Sequence, residues 1–258
     1  MRGCGGGDAG LLWLPQLEDL KNELEKRQEK KNPEISQPDT AAEEQEEKNP
    51  QPDVKNSISR CGKVTFQLPP GLEERVCHFS VTLDPDTAHP ELVLSEDGKS
   101  VWHAAGAREL PDIPQRFDHW PFVLGHQAFV AGRHCWDVAV GDSGDWAVGV
   151  THGAAWAVGV AKESVPRKGR ISVRPELGIW AVGQCGRQCQ ALTSPAVPIS
   201  LPEPPEVVGV YLDYEAGRVS FYDAENMQHI FTFNVAFQEK VFPLFSICST
   251  VTYIKLCP

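Results

Sequence analysis

The stretch VVGVYLDYEAGRVSFYD, Val207–Asp223, reads as two strands folded back on each other. Apolar and aromatic residues fill both halves, and the polar break at Tyr214–Gly217 holds a glycine free to take the positive φ that a tight hairpin turn demands. Upstream, HCWDVAV (His134–Val140) alternates so that Trp136, Val138 and Val140 share one face. Downstream, FTFNV, VFPLFSI and VTYIKLC follow at short intervals. From about residue 63 onward, many short strands bounded by Gly, Pro and Asp, with no long helical period, predict an antiparallel β-sandwich.

One strand is written twice. WAVGV occurs at Trp146–Val150 and again at Trp156–Val160. Side chains of a strand alternate faces and the offset of ten is even, so either copy presents the same Trp-Val-Val face and fits the same place in a sandwich. The other copy must then extend the strand as a hairpin or be displaced as an apolar loop around His152–Ala155. The repeat is read as a gene-level duplication or a gene-model artefact that the fold tolerates, and not as a selected functional device.

Before residue 63 the character differs. Leu17, Leu20 and Leu24 recur at spacings of three and four within Leu14–Lys31, which predicts a short amphipathic, coiled-coil-like helix behind a Gly-rich N-terminus, stopped by Pro33. Residues 32–62 are rich in Pro, Glu, Gln, Lys and Asn and bury too little apolar surface to offset ordering entropy, so they are expected to be a disordered linker. The domain reading is therefore 1–31, 32–62 and 63–258.

A net charge of −11 argues against a binder of nucleic-acid backbones. No apolar run reaches the roughly 18 residues needed to span a bilayer, and Leu11–Leu14 is too short for a signal-peptide core of about 7; a cytoplasmic protein is expected. The eight cysteines contain no C-x-x-C, and Cys185 and Cys189 have no nearby histidine, so reduced structural thiols are expected instead of a zinc site or a disulfide framework. GDSGD (Gly141–Asp145) lacks the last glycine of a nucleophile elbow, and no H-E-x-x-H or phosphate loop occurs. Asp142 and Asp145 read as turn residues. The sequence thus offers no catalytic residues, no metal site and no cofactor. The basic cluster Lys162, Arg167, Lys168, Arg170 and Arg174 reads either as a solvated loop or as an anion-binding rim.

Three ordered stretches point to a family. LDPDTAHPELVLSEDGKSV (Leu83–Val101), RFDHWPFVLGHQAFVAGRHCWDV (Arg116–Val138) and LDYEAGRVSFYD (Leu212–Asp223) closely resemble the PRY-SPRY domain of tripartite-motif ubiquitin ligases and butyrophilins. Trp136-Asp137-Val138 departs from the usual motif in carrying Asp for Glu. The C-terminal run from Asn226 is most similar to the branch that includes tripartite-motif protein seven. The resemblance covers about residues 78–258 and implies a PRY part at about 78–130 and a SPRY part at about 131–258. It also implies a bent, concanavalin-like jelly-roll sandwich whose inter-strand loops bind a protein or peptide. Against family members, which usually write the doubled strand once, the repeat looks like a ten-residue insertion.

Carried over residue by residue, the implied partner-binding cleft comprises Trp120, Phe122, Asp145, Arg170, Val173, Gly183, Ser246 and Cys248. Trp120 and Phe122 are apolar where the relatives are polar or basic, so a more hydrophobic cleft with Arg170 as its polar anchor is expected. The resulting expectation is a non-catalytic recognition module of a ubiquitin-ligase or innate-immune pathway. The alternatives are a ligase fragment or isoform without its RING, and a butyrophilin-type sensor of a small anionic ligand. No nucleic acid and no membrane span is expected among its partners, and the N-terminal helix is a candidate for weak self-association.

Overall fold

The computed structural model describes residues 77–104, 106–142, 155–186 and 188–258. The expected N-terminal helix and linker, the first WAVGV copy and Asp145 lie outside the described residues. The described residues form strands joined by turns, with one short 3-10 turn at Pro175–Leu177 and no α-helix. The strands are β1 (Cys77–His78), β2 (Leu92–Leu94), β3 (Ser100–His103), β4 (Phe122–Leu124) and β5 (Arg133–Asp142). Next come β6 (Ala155–Lys162), β7 (Ile179–Cys185), β8 (Gln188–Ala191) and β9 (Val197–Ile199). The chain finishes through β10 (Val207–Asp213), β11 (Arg218–Asp223), β12 (Gln228–Asn234), β13 (Val241–Ile247) and β14 (Thr252–Leu256).

Two antiparallel sheets stack. One runs β12-β11-β10-β5-β14-β3-β2, with β1 added in parallel against β5; the other runs β4-β13-β6-β7-β8-β9. The hairpin expected at Val207–Asp223 is β10 and β11, with Asp213 opposite Arg218 and Gly217 at φ +63°. A Cβ at Gly217 would stand 1.9 Å from the Val235 carbonyl oxygen, so the turn requires glycine twice over. Asp213, 1% exposed, holds the turn from inside: it accepts from the Ala216 amide and from Arg133 Nε, each at 2.9 Å.

The core lies between the sheets. Trp136, Val138 and Val140 of β5 point into it beside Val208, Val210 and Leu212 of β10. The opposing layer is Trp156, Val158 and Val160 of β6, Trp180 and Val182 of β7, and Phe245 and Ile247 of β13. Of the doubled strand, the second copy occupies the sandwich, paired on both sides with β13 and β7. Gly159 fits there because any Cβ would fall 2.2 Å from the Trp180 carbonyl oxygen. At the open edge of the second sheet, Pro198 within β9 removes a backbone donor, a common way to blunt edge-to-edge pairing.

One sequence expectation is corrected. Cys257 is disulfide-bonded, so the cysteines are not uniformly reduced thiols. Spacing alone could not reveal this, because a bridge depends on which chain segments the fold brings together. Cys185 and Cys189 are free thiols.

Candidate recognition face

The second sheet has an outer face as well as a core face, and Phe122, Ser246 and Gly183 of the expected cleft lie in one row across that outer face. Register places Phe122 (β4) opposite Ser246 (β13), Ser246 opposite Ala157 (β6), Ala157 opposite Gly183 (β7), and Gly183 opposite Gln190 (β8). Four strand spacings make this row about 19 Å long. A parallel row follows, with the Cys248 amide donating to the Ala155 carbonyl at 2.9 Å and Ala155, Cys185 and Gln188 continuing across the sheet. Small residues at Ala157, Gly183 and Ser246 lower the middle of the face. A Cβ at Gly183 would stand 2.8 Å from the Trp156 carbonyl oxygen.

Two chain segments fold over this face. The one before β4 contributes Phe117 and Trp120, and the one after β6 contributes Val165, Ile171 and Val173; together with Phe122, Leu124 and Leu244 they form a second apolar cluster. Trp120 is 8% exposed, and its indole N–H donates to the Ile171 carbonyl at 2.8 Å, tying one covering segment to the other. Phe122 is 2% exposed and meets Phe117 edge-on at 5.4 Å. Ser246 is 1% exposed. Val173 and Cys248 are half-buried, Gly183 is buried and Arg170 is exposed. The residues accessible from outside are thus Arg170, Val173 and Cys248, joined by Cys185, Gln188 and the exposed His119, which stands edge-on to Trp120 at 5.3 Å.

The basic cluster is largely committed to holding the rim in shape. Arg167 donates to the carbonyls of Val165, Gln115 and Glu163 and lies 4.9 Å above the Phe117 ring. Burial pulls its pKa down, with Asp84 and Glu163 opposing. Lys168 pairs with Asp112, and the Gly169 amide donates to Asp118 at 2.8 Å. Ser164 donates twice to Glu239, whose carboxyl is held below its usual range chiefly by the Ser164 hydroxyl. The loop that carries Arg170 is therefore braced at both ends.

Sequence reasoning missed Cys185, Gln188, Gln190 and His119. For Cys185, Gln188 and Gln190 the only signal was the β7–β8 turn at Gly186, and the register it sets is fixed by β6 on the other side. Burial raises the thiol pKa of Cys185, and that of Cys189 to about 11, which makes both poor nucleophiles. Among the described residues no group of His, Cys, Asp and Glu could hold a metal ion, and no helix is long and apolar enough to cross a membrane.

Comparison with known proteins agrees with this architecture. The profile of the SPRY-associated domain, PRY, matches residues 81–129 and that of the SPRY domain matches residues 133–254. The E3 ubiquitin-protein ligase TRIM58 of Homo sapiens is 42% identical over 72% of this chain and 37% of its own length. The erythroid membrane-associated protein of Homo sapiens is 46% identical over 66% of this chain and 34% of its own. Butyrophilin subfamily 1 member A1 of Bos taurus is 46% identical over 69% and 32%. The chain thus spans about a third of the length of these relatives. The crystal structure of the TRIM65 PSpry domain superposes with a TM-score of 0.60 at 25% identity, covering 76% of this chain and all of that domain. By its two matched domains, its relatives and its two-sheet sandwich, the chain belongs to the PRY-SPRY family shared by tripartite-motif proteins and butyrophilins.

Proposed function

We propose that the outer face of the second sheet docks a peptide segment of a protein partner, and that the chain is a non-catalytic recognition module of a tripartite-motif-type ubiquitin pathway acting in the cytoplasm. The observation that carries this reading is the convergence of Phe122, Ser246 and Gly183 on one row, with Arg170, Val173 and Cys248 at its accessible margin. A rigid sheet rimmed by braced loops is a binding architecture. Its apolar covering layer with a cationic residue at the margin suits an apolar or acidic segment. Trp120, Phe122 and Ser246 act in this reading as supports beneath the surface. The similarity to TRIM58, named an E3 ubiquitin-protein ligase, supports the pathway, with catalysis assigned to parts of such proteins beyond this domain.

The test is a selection of displayed peptides on the full chain, followed by calorimetry of the enriched peptide against wild type and against Arg170→Glu/Val173→Asp. Loss of binding by tenfold or more in a variant that melts like wild type supports the reading. Equal binding by both, or no enrichment, sinks it.

A further inference from the structure

Among the described residues the two sheets end at four open strands, β12 and β2 in the first and β4 and β9 in the second. An open edge presents unpaired amides and carbonyls to any other strand, and proteins blunt it with short strands, proline or charge. β2 and β4 are three residues long, and β9, also three, carries Pro198. β12 has none of these protections. It runs seven residues, QHIFTFN, and no Asp, Glu, Lys, Arg or Pro occurs from Asn226 to Gln238. Its one irregularity, a bulge at Ile230, lies near its start and leaves Phe231–Asn234 in regular register with β11.

One bond fixes which way the backbone groups of this edge point. The Val235 amide donates to the Gly217 carbonyl at 2.7 Å, and bonding alternates along an antiparallel pair, so Phe233 and Phe231 turn their backbone groups to β11. Thr232 and Asn234 turn theirs outward. Their side chains lie on the outer face of the first sheet, where the Thr232 hydroxyl meets that of Ser220 at 2.9 Å. Phe231 and Phe233 stand on the core face, opposite Phe221 and Val219, with their own rings 4.8 Å apart. Phe231 and Val235 pack on that core yet remain half-buried at the end of the sheet.

We propose that this edge pairs with the same edge of a second copy of the chain, antiparallel about a two-fold axis that passes through Phe233 normal to the sheet. In that register Thr232 of each copy faces Asn234 of the other, and the two pairs exchange four backbone hydrogen bonds. On the core side Phe233 meets its own counterpart and Phe231 meets Val235 of the other copy, aromatic and apolar pairs of the kind that stabilise neighbouring strands. Centring on Thr232 instead would draw the bulged Ile230 into the ladder. No like charges come face to face, because residues 226–238 hold no Asp, Glu, Lys or Arg; this self-complementarity is what singles out a second copy as the occupant.

The pairing joins two eight-stranded sheets edge to edge and, since the axis is normal to them, keeps both second sheets on one side. Two recognition faces then point the same way, a bivalent display for a partner that repeats its segment. That consequence rests on the proposed recognition face; the pairing itself does not. A contact of one short strand buries well under the roughly 800 Å² per partner of a stable interface, so the dimer is weak and driven by concentration.

Sedimentation of the full chain from micromolar to millimolar concentration tests the pairing, in moderate salt that screens the repulsion between two chains of net charge −11. Two variants probe the edge, Thr232→Lys/Asn234→Lys and Thr232→Glu/Asn234→Glu, each of which sets like charges opposite one another in both pairs. The expected result is concentration-dependent dimerisation of wild type, association weaker by about tenfold or more in either variant alone, and its return when the Lys and Glu variants are mixed. Amide exchange should slow at Thr232 and Asn234 as wild type is concentrated. Where a double variant fails to melt like wild type, Asn234→Pro takes its place: it removes one outward donor, and the same loss is expected. A wild type that stays monomeric, folded variants that associate like wild type through another surface such as residues 14–31, or a mixture of folded variants that does not associate would each overturn the proposal.

Discussion

Replacing Phe122 by Ala asks whether the layer over the second sheet is structure or surface. Phe122 is 2% exposed, edge-on to Phe117 and near-parallel to Trp120 at 6.3 Å, with Ser246 opposite it across the strand pair. Emptying such a site costs about 3–5 kcal/mol, and the low end applies because β4 is a short edge strand that can relax. For a domain of this size each kcal/mol lowers Tm by about 2–4 °C, so a loss of about 3 kcal/mol predicts a drop of roughly 6–12 °C. Trp120→Phe should cost less: it keeps most of the ring and removes the indole bond to Ile171, leaving one carbonyl unsatisfied for about 1–3 kcal/mol. Thermal unfolding followed by near-ultraviolet circular dichroism, with urea titration to verify an unchanged m-value, measures both. A Phe122→Ala shift below about 2 °C, under 1 kcal/mol on the same scale, would refute the reasoning and return Phe122 to the open wall of a cleft. The result also governs binding experiments, since a charge placed at Trp120 or Phe122 would then report unfolding and not lost recognition.

Gly217→Ala should destabilise the β10–β11 hairpin by about 1–2 kcal/mol from the left-handed backbone alone, with the clash on Val235 adding to it; unchanged urea stability would contradict the turn geometry. Around Asp213, Arg133→Met should cost more than Asp213→Asn, because the first leaves a buried carboxylate without its cation while the second leaves a partly exposed guanidinium that water can serve; the reverse order by urea unfolding would be inconsistent with the burial seen here. Cys189 titrates near 11 in the fold against 9.0 for a free thiol, so the unfolded chain loses that proton first as pH rises. Its contribution to stability should be complete below pH 9 and disappear between 9 and 11, and Cys189→Ser should flatten that part of the stability profile. Iodoacetamide should modify native Cys189 slowly at neutral pH; modification as fast as in urea would show the thiol to be open.

How much of this was legible follows from what each residue's role depends on. Strand periodicity and the Gly217 turn are local, so the hairpin and the Trp136–Val140 face could be read directly, as could the sandwich they imply. Equivalence of the two WAVGV copies was also legible, being a matter of parity; which copy pairs with β13 and β7 was not, because those strands are far away in sequence. The burial of Trp120, Phe122 and Ser246 was hidden for the same reason. Nothing near them announces that segments before β4 and after β6 close over the second sheet. The cationic cluster read either as a solvated loop or as a binding rim, and its partners were not legible: Asp112, Glu239 and backbone carbonyls occupy three of its members.

The way the chain joins β5 has a consequence for tethering. β1 lies against His134 and Cys135, and the Cys257 amide, just past β14, donates to Asp137. The path into the domain and the path out of it therefore meet on one strand of the first sheet, while the candidate recognition face is the far side of the second. A fused reporter or a neighbouring domain attached directly before Cys77 or after Pro258 would sit behind the first sheet, leaving the face presented forward. The same proximity favours a permuted chain of residues 77–258, with Cys77 and Pro258 joined by a short linker and the backbone opened at an exposed turn such as Glu225–Asn226.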